Sequence, residues 1–96
     1  MINENRDQLT LKLYVNGTSG KSRQAMNNLR ELLDEHLPNT FSLEVIDISQ
    51  DVEALDREHI LATPTLIKKL PSPSVRIIGD LSNSDAVLAE ISTITN

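Results

Sequence analysis

Between a hydrophobic run ending at Val15 and a helical stretch beginning near Arg23, the chain reads Asn16-Gly17-Thr18-Ser19-Gly20-Lys21-Ser22. A glycine-rich turn ending in Gly-Lys-Ser ahead of a helix suggests a phosphate-cradling loop, in which backbone amides wrap the phosphates and the lysine reaches them. Asp47, closing a later hydrophobic run, would stand where such proteins hold a magnesium-binding carboxylate. The spacing fails, because the first glycine of the G-x-x-x-x-G-K pattern falls at Val15. The chain is also short for the doubly wound core that nucleotide-binding folds of this type employ. The segment reads as a loop with Lys21 in solvent.

Other chemistry-bearing residues are sparse. His36 and His59 lie far apart, with no second histidine or cysteine at ligand spacing, so no metal site is expected. His36 reads as a favourable charge near a helix end. Asp47 and Asp80 have the residue type for a general acid and base, yet no polar constellation surrounds them, and both read as strand-end and turn residues. The absence of cysteine removes disulfides, thiolate ligands and thiol nucleophiles together. No catalytic residue and no cofactor is expected.

Composition narrows the remaining classes. The 96 residues are read as one domain, 1–96. Apolar residues make up 39% of the chain but include only one tyrosine and one phenylalanine, so the core must be aliphatic and little surface is left for stacking on bases. A formal net charge of −5 without any Lys/Arg run argues against nucleic acid. No apolar run approaches the roughly 20 residues needed to cross a bilayer, and the acidic start Met1–Asp7 lacks a signal peptide's pattern, so a cytoplasmic protein without membrane contact is expected.

Periodicity supplies the elements that must position any site. Leu9, Leu11, Leu13 and Val15 alternate with Thr10, Lys12 and Tyr14, which predicts a strand with two unlike faces. Met26, Leu29, Leu32, Leu33 and Leu37 recur at helical spacing, and Pro38-Asn39 ends the helix. Phe41 to Ile48 is nearly continuous in apolar residues, predicting a second, parallel strand buried on both faces. Asp51 to His59 reads as a short helix with Val52 and Leu55 along its apolar edge. Thr65–Leu70 and Val75–Gly79 flank Pro71-Ser72-Pro73-Ser74 and predict a hairpin. Ser82-Asn83-Ser84-Asp85 has capping-box form, with Ser82 as cap, and opens a last helix whose apolar face is Val87, Leu88, Ile91 and Ile94.

The order βαβαββα is that of a thioredoxin-like α/β fold, a mixed sheet with helices on both faces. Ala62-Thr63-Pro64-Thr65 agrees with it, since that fold places a cis-proline, here Pro64, just before its third strand. The usual chemistry is missing, because Gly20, Lys21, Ser22 and Arg23 stand where two thiols would be needed.

Specific segments carry a closer resemblance. Leu11–Val15, Val45-Ile46-Asp47, Ile60–Leu66 and Arg76–Ser82 resemble the KaiB circadian-clock family, in order and spacing, over about Leu9 to Ile91. The resemblance implies a non-enzymatic regulator that docks on a KaiC-type ATPase and alters its phosphorylation cycle. A KaiA-like protein, a histidine kinase and self-association as dimer or tetramer are further partners it implies. It also implies metamorphic behaviour, with a ground-state order βαββααβ as the alternative fold. Glu90 and Ser92 replace the family's common Gly and Asp in the final segment, and glycine is the costlier helix residue, so the thioredoxin-like form should be the more populated here. Glu44, His59 and Val75 replace positions often basic in clock members. The docking residues expected are Lys68 and Arg76 on the hairpin, with Lys12 and Tyr14 on the polar face of the first strand. The alternatives are a sensory domain of a histidine kinase and a cysteine-free thioredoxin-fold enzyme.

Overall fold

The computed structural model describes residues 9–17, 19–36 and 41–91. Thr18, Leu37, Pro38, Asn39, Ser92 and Ile94, which the sequence reading used, lie outside them. The described elements follow the order β1 (Leu9–Val15), α1 (Gly20–His36), β2 (Phe41–Asp47), α2 (Glu53–Glu58), β3 (Thr65–Leu70), β4 (Val75–Ile78) and α3 (Ser84–Ile91). The sheet runs β2-β1-β3-β4, with β1 parallel to β2 and antiparallel to β3, and β3 antiparallel to β4.

Alternation along β1 divides the core. Leu9, Leu11, Leu13 and Val15 face α1 and α3, where they pack with Ala25, Leu29, Leu32, Leu33, Val87 and Ile91. Each fully buried aliphatic side chain of this kind contributes about 2 kcal/mol of hydrophobic stabilisation. Tyr14 faces the other way and joins Ile67, Ala54 and Ile60 beneath α2. Helices therefore cover both faces, but unequally.

Several local expectations are corrected. β2 is an edge strand whose residues are all half-buried or exposed, with Val45 43% exposed. Its apolar run does not signal burial on two faces, because β3 takes the place on the far side of β1. The short helix spans Glu53–Glu58 and packs through Ala54 and Leu55, while Val52, at its N-cap, is exposed. The cap of α3 is Asn83: its side-chain oxygen accepts the Ala86 amide at 3.2 Å and its carbonyl accepts the Val87 amide at 3.0 Å. Ser82 instead donates its amide to Asp80 Oδ1 at 3.0 Å, completing a turn. β4 stops at Ile78 because Gly79, at φ 123°, turns the chain in a conformation closed to other residues, and its amide bonds to the Pro64 carbonyl at 3.0 Å.

Candidate functional site

The loop after β1 uses its polar groups on itself. Ser19 caps α1, accepting the Ser22 amide at 3.2 Å, and the buried Ser22 hydroxyl accepts the Asn16 amide at 3.0 Å. Asp47 Oδ1 accepts from the Ser49 hydroxyl at 2.7 Å, the Gly17 amide at 2.8 Å and the Ser49 amide at 3.0 Å. The Ser49 hydroxyl first, then the Gly17 and Ser49 amides, hold the Asp47 carboxyl below the ordinary carboxylate value. Asp47 thus ties the β1 loop to the β2 loop. Asp80 plays the corresponding part after β4, its carbonyl accepting from Asn28 Nδ2 at 2.8 Å to fasten α1. Among the described residues no group of three or more His, Cys, Asp or Glu side chains is placed to hold a metal ion.

The sheet face under α2 gathers a different set. α2 is only six residues long and ends where His59 adopts the left-handed conformation, φ 56°, letting the Ile60 amide reach back to the Leu55 carbonyl at 2.9 Å. Arg76, projecting from β4, closes that end: its guanidinium donates to the Glu58 and His59 carbonyls at 2.5 and 3.2 Å. Such a cation at a helix C-terminus satisfies carbonyls that the helix leaves open and opposes its dipole. Lys69 Nζ sits 3.1 Å from both carboxylate oxygens of Glu58, and Arg76 is 4.0 Å from one of them. Across the sheet Lys12 pairs with Glu44 at 3.9 Å, directly opposite it in the β1–β2 register. On the outer side of α2, Arg57 bonds Asp51 at 2.7 Å, lowering that carboxyl and raising the guanidinium.

The structure separates the residues expected to dock a partner. Arg76 and Lys12 lie on this face with side chains 43% and 32% exposed. Lys68 does not: it stands opposite Leu11 and Val75, on the face toward α1 and α3, and is 1% exposed. Its side chain lies inside the fold. Tyr14 is likewise no exposed aromatic, being 2% exposed beneath α2. Burial, then the Glu58 and Glu44 carboxylates, push its phenol above the ordinary value. Pro64 is buried at the entry to β3, and the Thr63–Pro64 bond is cis. Lys69 and Glu58 were not anticipated. The adjacent pair Lys68-Lys69 carried the signal, since neighbours on a strand point to opposite faces and only one of the two can meet solvent.

A family model described as KaiB domain matches residues 12–92, a span that runs from within β1 through α3 and holds both lysines of this pair. The chain belongs to the KaiB family. Among its KaiB relatives, circadian clock protein KaiB3 of Synechocystis is 42% identical over 82 residues, covering 85% of this chain and 80% of the relative. The circadian clock oscillator protein KaiB of Prochlorococcus marinus is 46% identical over 83 residues, covering 86% and 79%. In structure the chain is similar to the N-terminal domain of Synechococcus elongatus SasA, with TM-score 0.75 at 19% identity over 100% of this chain and 94% of that one. Fasciola hepatica thioredoxin gives TM-score 0.73 at 24% identity, over 95% and 85%. These two likenesses establish the thioredoxin-like fold of this KaiB-family chain.

Proposed function

We propose that this KaiB-family chain is a non-enzymatic clock-type regulator that acts in the cytoplasm by docking on a KaiC-type ATPase and modulating its cycle. One observation carries the reading: a sheet face half-covered by a six-residue helix, on which Arg76 and Lys12 project from strands at fixed spacing. Cations held by strands lose little freedom on binding and speed encounter with an acidic surface. The naming of its relatives as circadian clock proteins supports the same reading.

Co-elution of this chain with the KaiC-type ATPase of the same source on a sizing column, with and without ATP, tests it. Nucleotide-dependent co-migration is the expected result. Failure of any complex to form after long incubation contradicts the reading and turns the search to a histidine kinase.

A further inference from the structure

Glu58 stands where an incoming carboxylate would stand. Its two side-chain oxygens lie 3.1 Å from Lys69 Nζ, and one of them lies 4.0 Å from the Arg76 guanidinium. The two cations are the more open members of the trio, with side chains 43% exposed at Arg76 and 36% at Lys69 against 22% at Glu58. An acidic surface approaching the face therefore meets the cations first, already partly neutralised from behind.

Two features make Glu58 a replaceable ligand for them. It is the last residue of α2, where the helix dipole opposes a negative charge. Arg76, in addition, is positioned without it, by the main-chain carbonyls of Glu58 and His59. Removing the charge of Glu58 leaves the guanidinium held in place with its counter-ion gone.

We propose that Glu58 is an internal counter-ion that sets how strongly this face attracts an acidic protein surface, by competing with the partner's carboxylates for Lys69 and Arg76. The proposal rests on the reading above that this face docks a protein. It identifies Glu58 as a residue that tunes affinity without supplying a contact of its own.

The direct probe is a dye-labelled deca-glutamate peptide, titrated by fluorescence anisotropy with the wild-type chain, Glu58→Gln and Lys69→Met. Glu58→Gln keeps the shape and an acceptor for Lys69 while removing the charge. It should bind the peptide ~5-fold more tightly at low salt, the size of one partly exposed ion pair released for an outside ligand. The gain should shrink as ionic strength rises to about 0.15 M. Lys69→Met should bind more weakly than wild type, because Glu58 then neutralises Arg76 alone. Urea midpoints within error of one another show that all three chains are equally folded. Equal or weaker binding by Glu58→Gln, including no measurable binding by either chain, overturns the proposal.

The same chains run against the KaiC-type ATPase separate the two ideas. Peptide discrimination with no ATPase complex leaves the role of Glu58 standing and removes the proposed partner. An ATPase complex with no difference between wild type and Glu58→Gln on either ligand does the reverse.

Discussion

Beneath α1 and α3 the sheet presents Leu9, Leu11, Leu13, Val15 and Leu66, all buried, whereas beneath α2 it presents Tyr14 and Ile67, with Lys69 and Arg76 around the helix end and Lys12 beside Glu44 of β2. The first face is covered by a 17-residue and an 8-residue helix, the second by one of six residues. A helix that short cannot sustain itself, so its place depends on a few apolar contacts and on the charges that close its end. One face of the sheet therefore supplies stability, and the other trades coverage for reachable charge.

Reversing the charge of adjacent residues should separate the two faces most strongly. Lys68→Glu places a carboxylate inside the first face and should lose on the order of 3 kcal/mol or more in urea unfolding. Lys69→Glu, one residue on, should lose less than about 1 kcal/mol, the worth of an exposed pair. Similar losses at the two positions would mean that the faces are not distinct.

Leu13→Ala should come next, at about 3 kcal/mol, because Leu13 is fully buried at the centre of the aliphatic cluster. Ile78→Ala, on a side chain 63% exposed, should change stability by less than about 0.5 kcal/mol. Urea midpoints at constant slope give both numbers.

The end of α2 offers a gain. His59 holds a left-handed conformation that costs a residue with a side chain about 1 kcal/mol, so His59→Gly should stabilise the chain by roughly 0.5–1 kcal/mol. A loss of stability would show that the His59 side chain contributes more than its backbone costs.

How far the two faces could be read from the sequence follows from which signals are local. The strand β1 was legible, with its true bounds, because its alternation is unbroken from Leu9 to Val15. β3 was legible for the same reason of apolar content and proline-bounded ends. Which lysine faces outward was not. The β1–β3 register shifts between Thr10 and Leu11, so that Leu70 and Lys68 find partners and Lys69 falls at the irregularity. Nothing local to Ile67-Lys68-Lys69-Leu70 fixes that shift. The edge position of β2 was equally invisible, since strand order is decided by where β3 returns. Tyr14 alternates correctly with Leu13 and Val15, but its cover is α2, whose buried anchor is the small Ala54 and not the larger Val52. Arg76 was legible as a projecting cation, while its hold on the α2 carbonyls depends on three-dimensional proximity of segments 17 and 18 residues apart.

A smaller effect reports on the second face alone. Tyr14 is the single tyrosine and the chain has no tryptophan, so phenolate absorbance follows one buried group. Burial and the neighbouring carboxylates raise its pKa, which means the folded state keeps the proton that the unfolded chain gives up. The associated stability is whole below about pH 10 and is lost as pH rises through the raised folded value. Glu58→Gln should reduce the rise. An unshifted phenol would place Tyr14 in solvent and contradict its cover by α2.

The charged, half-covered face is proposed as the one that meets a partner. The most direct test is co-elution with the KaiC-type ATPase in ATP for wild type, Arg76→Gln and Lys68→Met, each first checked by its urea midpoint. Wild type and Lys68→Met are expected to migrate with the ATPase, and Arg76→Gln is expected to lose most of the complex. Loss of the complex in Lys68→Met with Arg76→Gln unaffected would place the docking surface on the opposite face and contradict it.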